Sequence, residues 1–104
     1  MAYELTWSEE ALEDVDSIAT YIEKDSLIYA KTVVSKFFEI TDALLDFPKL
    51  GRVVPELNQE NIRELFAYSY RLIYKFDDIS IVVVAIIHGK MLLNESMLDT
   101  RLKV

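Results

Sequence analysis

The chain offers few residues with which to do chemistry. Its 104 residues include no cysteine, one histidine (His88) and two glycines, Gly51 and Gly89. That excludes disulfides, thiolate metal sites and cysteine nucleophiles, and it excludes a glycine-rich phosphate loop. One histidine leaves only a carboxylate-rich metal site, and no acidic spacing suits one, so no metal or other cofactor is expected. What remains is a late group of cations around the histidine. Arg63, Arg71 and His88 are its members, Lys90 follows, and Arg52 and Glu56 precede it on a polar stretch. Imidazole works as acid or base near neutrality, and the arginine fork binds carboxylates and phosphates. The same residues also have plain structural readings. Arg71 fits an ion-pair arginine, His88 a capped strand-end histidine, and Arg52 and Glu56 solvated loop charges.

The hydrophobic pattern supplies the elements that must position them. Tyr3 to Trp7 alternates like a half-buried strand. Ser8 suits a helix N-cap, followed by Glu9 and Glu10 and then an apolar stripe of Ala11, Leu12, Val15, Ile18, Ala19 and Ile22. Ser26 caps a second stripe, from Ala30 through Val33, Phe37 and Thr41 to Leu45, which Pro48 ends. The short link between the helices predicts an antiparallel hairpin. Lys49 to Asn61 reads as an irregular stretch, and three strands follow at Ile62–Phe66, Tyr70–Phe76 and Ile79–His88. The tail, about residues 91–104, is expected to add a short helix. The sequence therefore predicts a single α+β domain over residues 1–104. Its order is β-α-α-β-β-β, with a helical hairpin packed on one face of a mostly antiparallel, twisted sheet.

A two-residue turn at Asp77-Asp78 would set Phe76 opposite Ile79. Side-chain alternation would then place Arg71, Ile73, Lys75, Ser80, Val82, Val84, Ile86 and His88 on one face. Tyr70, Leu72, Tyr74 and Phe76, with Ile79, Ile81, Val83 and Ala85, would face the helices. Arg63 joins the Arg71 face if the preceding turn has three residues; Glu64 joins instead if it has two.

The formal charge of −7 argues against a general nucleic-acid coat protein. It is unevenly spread: residues 1–48 hold three lysines against eleven acids, and residues 49–104 hold eight basic residues against seven acids. No run approaches the ~18 apolar residues of a membrane span, and the N-terminus lacks the pattern of a signal peptide. With no cysteine, a cytoplasmic protein without membrane association is expected.

Several segments together resemble a known family. Pro48-Lys49-Leu50-Gly51-Arg52-Val53-Val54-Pro55-Glu56 is similar to the loop of ParE-like toxins, as is Ile62-Arg63-Glu64-Leu65. Tyr70-Arg71-Leu72-Ile73-Tyr74 and the strand ending Ile87-His88-Gly89 follow in family order, and Trp7-Ser8-Glu9-Glu10-Ala11 with Asp14 and Ile18 resembles the opening helix. The match spans about residues 3–90 and points to the RelE/ParE superfamily, nearer its ParE-like branch. That resemblance implies a toxin of a type II toxin–antitoxin pair, neutralised by a cognate antitoxin. It also implies one of two targets: DNA gyrase, bound without chemistry, or mRNA on the ribosome, cut by an endonuclease.

A ribonuclease needs cations around a phosphate and a general acid or base. Arg71, His88 and Glu56 are the catalytic candidates under that reading. RelE-like ribonucleases have lysines where Ile62 and Glu64 stand here. They also carry a basic residue and a tyrosine near the positions of Met91 and Met97, although Lys90 is adjacent. Gyrase binding asks only for a surface, with Arg52, Arg63, Arg71, His88 and Lys90 as target- or antitoxin-binding candidates. The gyrase reading is preferred, with the ribonuclease and a non-toxic interaction module of the same fold as alternatives.

Overall fold

A computed structural model describes residues 3–90 and 95–102. The elements are β1 (Glu4–Trp7), α1 (Glu9–Glu23), α2 (Leu27–Asp42), a 3-10 turn (Ala43–Leu45), β2 (Arg52–Val53), β3 (Ile62–Ala67), β4 (Tyr70–Phe76), β5 (Ser80–His88) and α3 (Glu95–Leu102). The five strands form one sheet in the order β1-β5-β4-β3-β2. β1 runs parallel to β5, and every other pair is antiparallel. The α+β architecture and the helical hairpin on one sheet face are those expected. The irregular stretch contributes the short edge strand β2, and the tail contributes α3.

Both helices start where their serines predict. Ser8 Oγ accepts the Ala11 N–H at 3.1 Å, and Ser26 Oγ accepts the Tyr29 N–H at 3.0 Å, each satisfying one of the donors a helix N-terminus leaves unpaired. Val15, Ile22, Ala30, Val33 and Phe37 bury their stripes against Ala67, Leu72 and Ile86 of the sheet. A continuation of this core joins Ala11 and Leu44 to Tyr74, Ile81 and Val83. The opposite sheet face is also covered, in part. Leu98 of α3, fully buried, packs there with Val54, Ile62, Ile73, Val84 and Ala85.

The β4–β5 register departs from the expected one twice. Ile79 sits in the turn, 65% exposed, and Phe76 pairs with Ile81 rather than Ile79. Asp77 Oδ1 fixes this turn by accepting the Ile79 and Ser80 N–H groups. That change is two residues and leaves the side-chain phase intact. The second is a bulge. Tyr74 pairs with Val83 but Ile73 pairs with Ala85, so Val84 is an extra residue on β5. One residue inverts the phase: Ala85 and Ile87 turn to the α3 face, while Ile86 and His88 turn to the helical hairpin. The bulge is held from outside the sheet. Arg101 of α3 donates to Val84 O at 2.9 Å, and Asp14 of α1 accepts the Ile86 N–H at 3.0 Å. Arg101 and Asp14 are themselves paired at 2.8 Å.

Candidate functional site

The expected cluster is split by this geometry. Arg71, opposite Ile87, lies on the α3 face; His88, opposite Tyr70, lies on the helical-hairpin face. The expectation that the two share a face is therefore corrected, and the Val84 bulge is the reason. Tyr68-Ser69 is a two-residue turn, with Ala67 paired to Tyr70, so Glu64 joins the Arg71 face and Arg63 does not.

Glu64 joins Arg71 with consequences. Its carboxylate is completely buried between two arginines. Arg71 Nε donates to Oε1 at 2.6 Å, and Arg52 Nε donates to Oε2 at 2.7 Å. Arg71 then grips Glu56 with its two remaining nitrogens, both at 2.9 Å. The result is an alternating row, Arg52–Glu64–Arg71–Glu56, drawn from β2, β3, β4 and the loop after β2. Arg71 is 8% exposed, and a charge so deeply placed is tolerable only because each donor has a carboxylate. Hydrogen bonding to Arg71 holds the Glu56 carboxyl below its ordinary range, against a smaller opposing effect of burial. Hydrogen bonding to Glu56 in turn raises the pKa of Arg71, again against burial, with Glu64 adding to the rise. Arg52 reaches furthest out, 60% exposed and stacked over the Phe66 ring at 5.0 Å, and Glu56 also meets the surface.

Arg63 has a different task. It donates to the carbonyls of Lys49, Gly51 and Glu60 and to the Glu60 carboxylate, and it lies over the Phe76 ring. Tyr74 works beside it, accepting the Gly51 N–H and donating to Pro48 O. A Cβ at Gly51 would stand 2.6 Å from Glu64 O and 2.8 Å from the Tyr74 hydroxyl, which is why the loop has glycine there. Arg63 thus fastens the loop that presents Arg52 and Glu56. His88 packs edge-on against Tyr70, and its Nδ1 accepts the Lys90 N–H. Lys90 is exposed beyond the end of β5. Met91 lies outside the described residues; Met97 packs against the Leu98 cluster.

The structure therefore unites Arg52, Glu56 and Arg71 and separates Arg63, His88 and Lys90 from them. Two groups hold this arrangement: Arg101, which the sequence did not single out, and Asp14, which it marked only as part of the opening helix's resemblance. They are 87 residues apart in the chain, and no local pattern marks them as partners. Among the described residues there is no group of three or more histidines and acids able to hold a metal ion. Nor is any helix among them long and apolar enough to cross a membrane.

A family model described as the ParE toxin of the type II toxin–antitoxin system parDE matches residues 5–93. The chain belongs to this ParE toxin family. No curated protein sequence matches it. Among solved structures, the chromosomal ParDE toxin–antitoxin system of P. aeruginosa is similar with a TM-score of 0.69 at 19% identity, covering 85% of this chain and 97% of that one. The RelBE2 toxin–antitoxin complex of Mycobacterium tuberculosis gives 0.60 at 17% identity, covering 85% and 99%. The YoeB dimer of Staphylococcus aureus gives 0.56 at 20%, covering 80% and 92%. These likenesses establish a common fold, and the family match carries the expected ParE-like membership. The ParE match stops before α3, so the helix that clamps the β5 bulge lies outside the matched segment.

Proposed function

We propose that this ParE-family toxin arrests growth by binding DNA gyrase in the cytoplasm and is neutralised by a cognate antitoxin. The observation that carries the choice of target is the state of Arg71. A ribonuclease needs an arginine that can take a phosphate, and a general acid or base beside it. Every nitrogen of Arg71 already holds a carboxylate. A phosphate arriving there would meet two anions and would have to displace Glu56 or Glu64. Glu56, held ionised by Arg71, is a weak base for a 2′-hydroxyl, and His88 is on the other face of the sheet. The set Glu56, Arg71 and His88 is thus not assembled for acid–base work, which favours a toxin that acts by binding.

Under this reading Arg71 and Arg63 are scaffolding for the surface, and the exposed Arg52 and Lys90 make the contacts with target or antitoxin. Induced expression without antitoxin tests the proposal. Filamentous cells with DNA damage are expected. Arrest accompanied by ribosome-dependent cuts in mRNA would support the endonuclease instead. No arrest at all, with a partner still bound, would leave a non-toxic interaction module.

A further inference from the structure

The end of the sheet where β3 turns into β4 carries an aromatic cup whose rings are not among the proposed target contacts, although Lys90 follows its histidine. The α1–α2 link and the β3–β4 turn enclose a hollow of about 240 Å³, lined by Tyr21, Tyr29, Tyr68, Tyr70, His88 and Asp25 among others. Four of the chain's six tyrosines and its one histidine meet there. Tyr21 and Tyr68 are 70% and 53% exposed, although aromatic rings gain most from burial. The rings stand in perpendicular pairs. Tyr29 and Tyr68 are 6.1 Å apart at 70°, and Tyr70 and His88 are 5.4 Å apart at 73°. In each pair the edge of one ring touches the face of the other, so an entering group stacks on a ring from the side of the hollow and not between the two. Two hydrogen bonds fix its walls: Ser26 caps α2 through the Tyr29 N–H, and the Gly89 N–H donates to Ser69 O.

Tyr68 supplies a second, independent observation. Its φ is 55°, in the left-handed region. Glycine or asparagine would occupy that turn position with less strain. A bulky, half-exposed tyrosine held there points to a use for the ring.

The chemistry of the lining selects the occupant. Aromatic faces attract cations, guanidinium above all because it stacks and is weakly hydrated. The Asp25 carboxylate adds a counter-charge, and no lysine or arginine lines the hollow among the described residues. The chain's own arginines do not fill it, since Arg52, Arg63, Arg71 and Arg101 each hold a carboxylate elsewhere. The surrounding half of the chain is strongly acidic, so a basic protein segment would be drawn to this end. We propose that the cup between the α1–α2 link and the β3–β4 turn receives an arginine side chain from a segment of a partner protein, stacked on the Tyr68 ring and facing Asp25. This holds whichever target the toxin engages.

The test is a titration of the capped tripeptide acetyl-Gly-Arg-Gly-amide into the whole, isotope-labelled protein, followed by amide chemical shifts at near-neutral pH. Millimolar binding is expected, with shifts concentrated at Ile22, Ser69 and Tyr70. The glutamine counterpart should bind roughly ten-fold more weakly. Tyr68→Asn, which suits the backbone but removes the ring, and Asp25→Asn should each weaken the arginine peptide roughly three- to ten-fold while leaving the rest of the spectrum in place. The proposal is overturned if the glutamine peptide moves the same amides as strongly, or if either variant binds the arginine peptide unchanged. A uridine dinucleotide that moves those amides more strongly than the arginine peptide would equally overturn it, by assigning the rings to base stacking.

Discussion

Arg71 carries the largest single electrostatic obligation in the fold. Truncating it leaves Glu64 buried with only Arg52 beside it, and breaking a buried pair from one side costs about 3–5 kcal/mol. Arg71→Ala is therefore expected to lower the urea midpoint sharply. The double variant Arg71→Met/Glu64→Leu should lose less than the sum of its single changes, because the charges that lose partners, Arg52 and Glu56, reach solvent and no fully buried one is left. Loss of toxicity in Arg71→Ala would then report lost folding, and the contact test belongs on the exposed Arg52 and Lys90. Glu56 gives a pH signature. Its carboxyl is held below the ordinary 4.5 in the folded chain, so its contribution is present above that value and is lost as pH falls through the folded pKa. Glu56 is about one-third exposed, so the contribution is modest, about 1 kcal/mol. Glu56→Gln should make the acid side of a stability–pH curve shallower and leave its alkaline side parallel to wild type. The residue types that form this row were legible in the sequence. Their engagement with one another was not, because it depends on whether the Tyr68-Ser69 turn has two residues or three, and either length fits the composition.

At the scale of elements, helix positions and caps followed from periodicity and from Ser8 and Ser26, since a helix stripe and its cap are local. The β4–β5 phase did not follow. Ile81 to Ile87 is aliphatic throughout, so it has no alternation against which an inserted residue shows. The bulge is instead specified from a distance, by Asp14 on α1 and Arg101 on α3. Asp14→Ala removes the acceptor of the Ile86 N–H and the partner of Arg101 together. It should cost about 1–3 kcal/mol, with faster hydrogen exchange at the Ile86 amide as the local readout. Leu98→Ala should cost about 2–4 kcal/mol by opening a cavity under α3. If Asp14→Ala left Ile86 exchange unchanged, the bulge would owe its position to the strands alone.

The whole molecule divides its labour between two ends of one sheet. One end fastens a loop through Arg63, Tyr74 and Gly51 and presents Arg52 beside a neutralised row of charges. The other gathers tyrosines around His88 within an acidic helical hairpin. Among the described residues neither end brings a cation, an acid and a base to one point, and the proposal of a gripping toxin rests on that arrangement. The most direct measurement adds purified protein to gyrase with supercoiled plasmid and, in parallel, to ribosomes programmed with mRNA. The account predicts accumulation of gyrase-cleaved DNA and intact message. Cleaved message, with gyrase unaffected, would contradict it.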